Sequence, residues 1–115
     1  MTFPLNQMHY TRKYKRYPTH REARYFLENT TRDKQVCTIV NISRKGMGII
    51  FHTDEDISVG AIICIEVFSA QFSEPISVRG ILRWVDRMEI DIIGGIELIN
   101  KLSDVYLYKL NPSNR

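Results

Sequence analysis

Before residue 22 the apolar positions keep no sustained period, and Pro4 and Pro18 interrupt the stretch; from Ala23 the chain reads in period two. Ala23, Tyr25 and Leu27 alternate with Arg24, Phe26 and Glu28, the spacing that puts successive side chains on opposite faces of a strand. After the polar turn Asn29 to Lys34, the run Val36 to Ile42 predicts a second strand and a hairpin with the first. Ser43-Arg44-Lys45-Gly46 breaks the pattern and Met47 to His52 resumes it, so a third strand follows a tight turn. Asp54-Glu55-Asp56 and Gly60 bracket the connection to a fourth strand, Ala61 to Phe68. A fifth, Ile76 to Val85, carries Gly80 as an expected bend or bulge. Asp86 to Glu89 turns the chain into a sixth strand, Ile90 to Ile93 and Ile96 to Ile99, interrupted at Gly94-Gly95. Near the end Tyr106 and Leu110 stand four apart beside Val105, with Ser103 placed as an N-cap, which predicts one short helix.

Six strands and a terminal helix exclude a doubly wound α/β fold, which needs helices between its strands. The expected architecture is mainly all-β, a six-stranded antiparallel β-barrel with a short C-terminal helix, because closure removes the edges an open sheet would expose. The pattern divides the chain into a basic arm over residues 1–21, a barrel with its helix over 22–110, and a tail over 111–115.

Length and composition narrow the class. The 115 residues suit one domain with one modest core. With 43% hydrophobic and 25% charged residues the chain is neither disordered nor fibrous in composition. Apolar runs such as Ile62 to Ile65 are a few residues long, against roughly 20 for a membrane-spanning helix. Met1 to Gln7 lacks a basic stretch followed by an apolar one, which sets the expectation of a cytoplasmic protein. Cys37 and Cys64, inside strand-like segments without CxxC spacing, are expected to be buried reduced thiols. His9, His20 and His52 are scattered, and neither a metal site nor a cofactor is expected.

The charge of +3 is mild but unevenly spread. Between His9 and Tyr25 stand Arg12, Lys13, Lys15, Arg16, Arg21 and Arg24 against the single acid Glu22. Such a cluster is either a solvated basic tail or the footprint of an anionic partner: a phosphate, nucleotide, nucleic acid or lipid headgroup.

Catalytic chemistry finds little support. Ser43 has no histidine in a recognisable elbow and GxSxG is absent, Asp54, Glu55 and Asp56 form a run in a turn, and there is no P-loop or GxGxxG. No enzyme activity is expected. Two features stand above this background. In Arg12-Lys13-Tyr14-Lys15-Arg16, two arginines separated by three residues present planar, always-charged forks suited to phosphate oxygens or to the O6/N7 edge of guanine. In Asn41-Ile42-Ser43-Arg44-Lys45-Gly46, at the end of a strand, Asn41 offers an amide to a base edge, Ser43 a hydroxyl to backbone or phosphate, and Gly46 either positive φ or close ligand approach. A plain Asx/Ser turn ended by glycine is the alternative reading of that segment. Trp84, by its place in an alternating strand, is expected in the core or at a barrel end rather than as a stacking platform. Phe68 and Phe72 are candidates for an exposed partner surface.

Taken together, Arg12-xxx-Arg16 and Asn41-x-Ser43-xx-Gly46 resemble the RxxxR and [D/N]xSxxG signatures of the PilZ domain family. The likeness extends through Tyr17-Pro18, the Arg79 to Val85 strand and Gly95-Ile96-Glu97-Leu98, covering roughly residues 11 to 110. The resemblance implies a six-stranded barrel that binds cyclic di-GMP where the arginine arm folds over it. It implies that Arg12 and Arg16 clamp phosphates and guanine Hoogsteen edges, that Asn41 reads a guanine edge, and that Ser43 and Gly46 shape the turn and its phosphate contact. The expected protein is thus a sensor or effector that orders its arm on the ligand and signals to a protein partner. Thr11 stands where many family members carry a basic residue, and Asn41 where aspartate is commoner. A ligand-independent protein adaptor is the first alternative, and a small barrel binding single-stranded nucleic acid the second.

Overall fold

The structure, a computed structural model, describes residues 14–30, 33–69 and 72–110. Its strands are β1 (Tyr17–Leu27), β2 (Gln35–Ile42), β3 (Gly46–Phe51), β4 (Ile62–Val67), β5 (Ile76–Met88) and β6 (Asp91–Leu98), followed by the helix α1 (Asp104–Leu110). All pairings are antiparallel and the order β1-β2-β3-β6-β5-β4 closes on itself, because β4 pairs with β1 through Arg24 to Leu27. Period two then decides which residues fill the barrel. Ile39, Ile49, Phe51, Ile63, Ile65 and Leu82 are among the fully buried side chains, each contributing on the order of 1.5–3 kcal/mol of burial. Tyr25 packs edge-on against Phe51, with ring centroids 4.9 Å apart, and its hydroxyl donates to Gln35 Oε1 at 3.1 Å.

Beyond shifts of one residue at strand ends, the structure differs from the sequence pattern in four places, each with a physical reason. β1 starts at Tyr17, ahead of the first clean alternation, because its first residues pair with the far end of β2, Tyr17 with Ile42 and Pro18 with Asn41. β5 runs through Asp86 and Arg87 to Met88, so the turn narrows to Glu89, at φ 26°, and Ile90. This tip extends beyond the core, and its charged side chains conceal the strand's period. β6 is unbroken through Gly94 and Gly95, which pair with both β3 and β5. Finally, Gly80 is in regular register, and the irregularity on β5 falls between Leu82, opposite Ile96, and Trp84, opposite Gly95. Arg83 is the extra residue. A bulge of this kind re-aims the side chains that follow it.

The helix is short but held at both ends. Ser103 Oγ accepts the Tyr106 N–H at 3.1 Å, the cap expected from the sequence. At the other end Arg21 on β1 donates from Nε to the Leu110 carbonyl at 3.2 Å and from Nη2 to that of Lys109 at 3.0 Å. Those are the carbonyls a helix leaves without internal partners, and a cation there also suits the helix dipole. Leu102 and Leu110 are buried and fix the helix to the barrel.

Candidate functional site

The β2–β3 turn brings the second sequence motif under Arg16, the second arginine of the first. Ser43 and Gly46 close the turn through the Ser43 N–H to the Gly46 carbonyl, 2.8 Å. Ser43 Oγ, buried, accepts from the Gly46 N–H at 3.0 Å and the Lys45 N–H at 3.4 Å and lies 3.3 Å from the Gly46 carbonyl oxygen as donor. The hydroxyl is therefore engaged inside the turn. Asn41 stands just beyond an irregularity between Ile39 and itself, where the β2–β3 ladder slips. There its side-chain Oδ1 accepts the Gly48 N–H at 3.1 Å and also takes Arg16 Nη1 at 2.6 Å. The guanidinium of Arg16 is thus bound to a side chain 25 residues away. Gly46 has no positive φ. Its small size matters for close approach: a Cβ there would sit 3.0 Å from the Ile96 carbonyl oxygen and 3.1 Å from Arg16 Nη2.

Of the residues selected from the sequence, Arg16, Asn41, Ser43 and Gly46 converge, and Arg12 lies outside the described residues. Arg16, Ser43 and Gly46 line an open groove of about 440 Å³ across the ends of β2, β3, β5 and β6. Asn41 stands behind it, holding Arg16. Lys45, Arg83 and Lys101 add three further cations to the groove wall, and Glu97 is the acid among them. Arg83 Nε and Nη2 both reach Glu97 Oε1, each at 2.8 Å. A volume of this size lies in the ordinary range for small-ligand clefts, and the excess of cations favours an anion.

Trp84 corrects the expectation of a core position. It is 49% exposed and lines the groove. The bulge at Arg83 turns it outward, and its indole covers Gly95 so closely that any Cβ at that position would collide with the ring nitrogen. One signal for this was present in the sequence: paired glycines inside a strand mark a place where something large approaches the backbone. Lys45, Arg83, Glu97 and Lys101 carried no signal beyond their charge.

The turn is also tied to the segment that feeds α1. Arg44 Nη1 donates to the Leu102 carbonyl at 3.3 Å and pairs with Asp104 at 2.6 Å, and Lys45 Nζ donates to the Ile99 carbonyl at 3.1 Å. Backbone bonds from Leu98 to Lys45 and from Leu102 to Arg44, both 2.7 Å, complete the contact.

Cys37 is a buried free thiol that burial pushes up to about 12. Cys64 is free but only half-buried, and its thiol is also raised, mainly by burial and then by the Glu28 carboxylate. Phe68 is exposed, whereas Phe72 packs partly against the core with Lys109 over its ring. Thr38, His52 and Asp91 form a hydrogen-bonded chain of 2.8 and 3.3 Å, with Thr38 buried. Among the described residues no helix is long and apolar enough to cross a membrane, and no group of metal-ligating side chains occurs.

Comparison with known proteins agrees with this fold. No curated protein matches the chain. The solved structure of the Bacillus subtilis inhibitor of motility, MotI/DgrA, superposes with a TM-score of 0.64 at 12% identity. The match covers 87% of this chain and 48% of that one, so the chain spans about half the length of that protein. The family model for the PilZ domain matches residues 10–107, and the chain belongs to the PilZ domain family.

Proposed function

We propose that this protein binds cyclic di-GMP in the groove beside the β2–β3 turn and passes the bound state to a protein partner. One observation carries the reading: Arg16, from the arm motif, is held by Asn41 directly over Gly46, from the turn motif. Among the described residues, the second arginine of one family signature thus meets the turn of the other. Membership of the PilZ family supports the ligand class.

The residues divide the work by their chemistry. Arg16, oriented by Asn41, presents a guanidinium to a phosphate or to the Hoogsteen edge of a guanine. Lys45 and Lys101 add point charges for the second phosphate of a dianionic ligand. Arg12 supplies a second guanidinium as the arm orders over the groove, and that ordering opposes affinity by the entropy it removes. Lys45 bridges the turn to the Ile99 carbonyl, so a phosphate competing for its ammonium loosens the contact between turn and helix. The exposed side chains of Val105, Tyr106 and Tyr108 on α1 then form the surface a partner reads.

The test is isothermal titration calorimetry of cyclic di-GMP into the protein and into Arg16→Ala, with GTP and single-stranded DNA as comparison ligands. Saturable binding to the cyclic dinucleotide, lost in the variant, supports the reading. Absence of heat with an unchanged melting temperature overturns it in favour of the ligand-independent adaptor. Preference for DNA with steep salt dependence overturns it in favour of a nucleic-acid binder.

A further inference from the structure

We propose that a second cavity, of about 420 Å³ on the outer face of β4 and β5, is a binding site for a small aromatic carboxylate. The site is independent of the cyclic di-GMP reading. Its residues belong to neither sequence motif, and it shares only Lys101 with the groove at the β2–β3 turn.

Alternation makes the hollow. Ile63, Ile65 and Ile76 turn into the barrel and are buried, which sends Cys64 on β4 and Ser77 on β5 outward. Both are small, so two adjacent strands carry a low floor with larger side chains on either side. Phe26 rises on β1, opposite Cys64 in register. Beyond β5, the Ile99 N–H donates to the Arg79 carbonyl at 2.9 Å, so the chain leaving β6 stays beside β5. It carries Lys101 and then Tyr106 to the other wall. The neighbours β1, β4, β5 and β6 thus put an aromatic ring on each side of a floor two strands wide. The volume lies in the range of small-ligand clefts.

Charge decides what kind of ligand fits. Glu66 is the acid of the lining, and Lys34 neutralises it at 2.7 Å while lying 5.9 Å over the Phe26 ring. The cations are Arg79 and Lys101. Arg79, opposite Cys64, directs Nε and Nη2 at one oxygen of Glu28, at 2.9 and 2.6 Å. Its side chain is half-exposed, and the guanidinium fork has donors left for an acceptor entering from solvent. Lys101 is exposed, its ammonium over the Tyr14 ring at 5.2 Å, and it forms no ion pair among the described residues. A cationic ligand would meet these two charges, and a bare anion would leave the aromatic walls uncovered. A planar ring over Cys64 and Ser77, between Phe26 and Tyr106, with its carboxylate at Arg79 or Lys101, uses both.

Naphthylacetate is the probe, titrated into the full chain and followed by calorimetry and amide chemical shifts. Naphthylacetamide, which lacks the charge, and cyclohexylacetate, which lacks the aromatic ring, are the comparisons. Naphthylacetate is expected to bind with a Kd on the order of 1 mM or tighter, with saturating shifts at Phe26, Cys64, Ser77 and Arg79. Each comparison compound is expected to bind about tenfold more weakly. Ser77→Leu fills the floor from an exposed position, and is expected to abolish binding with Tm unchanged. Arg79→Gln is expected to weaken naphthylacetate and leave naphthylacetamide as it was. The thiols give a separate readout: Cys37 is buried and Cys64 only partly so, and naphthylacetate should slow alkylation of Cys64 by iodoacetamide, read as the mass of the intact chain. Equal affinity for all three compounds overturns the assigned ligand class. Binding that survives in a folded Ser77→Leu, or no shift at these residues at about ten times the expected Kd, overturns the site.

Discussion

Replacing Asn41 by alanine removes one atom that two elements depend on. Its Oδ1 accepts from the Gly48 N–H at 3.1 Å and from Arg16 at 2.6 Å. Gly48 is buried in β3, and the slip in the β2–β3 ladder leaves its N–H to the side chain. Stranding a buried donor costs about 1–3 kcal/mol. Arg16 is half-buried and regains water when its partner goes, so its loss adds less, on the order of 0.5–1 kcal/mol. The sum is about 1.5–4 kcal/mol, and for a domain of this size each kcal/mol moves the midpoint by about 3–5 °C. Thermal unfolding of Asn41→Ala is therefore expected to shift Tm down by about 5–20 °C. Asn41→Asp keeps the acceptor and adds a charge toward Arg16, so it should melt within about 3 °C of the parent or above it. Cyclic di-GMP binding should fall in the alanine variant, because Arg16 loses its orientation, and survive in the aspartate variant. Equal melting of the two variants, or a Tm for Asn41→Ala within about 2 °C of the parent, would refute the account of Asn41 as the post that holds both strand and arginine.

Other consequences follow from the same structure. Gly46→Ala places a Cβ 3.0 Å from the Ile96 carbonyl and 3.1 Å from the Arg16 guanidinium; titration calorimetry should show about tenfold weaker cyclic di-GMP binding at a stability cost of about 1 kcal/mol, since φ there is unstrained. Cys37 keeps its proton when folded up to about pH 12, whereas the unfolded thiol loses it near 9.0. Across that window the unfolded state binds fewer protons, so stability falls as pH rises, by up to about 1.4 kcal/mol per pH unit. Urea unfolding at pH 8.5 and about pH 10 should show this loss in the parent and a smaller one in Cys37→Ala. Arg21→Ala withdraws the donors to the Lys109 and Leu110 carbonyls, and hydrogen exchange should then show faster opening of α1, with about 1 kcal/mol lost globally.

Much of this was legible in the residues. Alternation marked all six strands, Ser103 marked the helix start, and two short motifs marked Arg16, Asn41, Ser43 and Gly46, which the fold brings to one place. The remainder was hidden where period two fails. A bulge has no side chain of its own to announce it, so Trp84 read as an inward residue although Arg83 shifts it outward. Lys45, Arg83, Glu97 and Lys101 come from three separate segments and share a groove only because β2, β3, β5 and β6 are neighbours. Gly80 read as a bulge, yet it is small because Ile96 packs over it, its Cδ1 2.9 Å from where a Cβ would be. Charge at the β5–β6 tip likewise shortened β5 as read from the sequence, which ended it at Val85.

The central claim is that cyclic di-GMP occupies the groove at Arg16 rather than another concavity of the barrel, such as the one of about 420 Å³ beside Phe26, Cys64 and Tyr106. Amide and indole chemical shifts on titration with cyclic di-GMP test it most directly. The account predicts saturating changes at Arg16, Asn41, Ser43, Lys45 and Gly46, at Gly95 and Glu97, and at the Trp84 indole N–H, with Cys64, Glu66 and Arg79 unmoved. Shifts confined to Phe26, Cys64, Glu66 and Arg79, or a spectrum unchanged at saturating ligand, would contradict it.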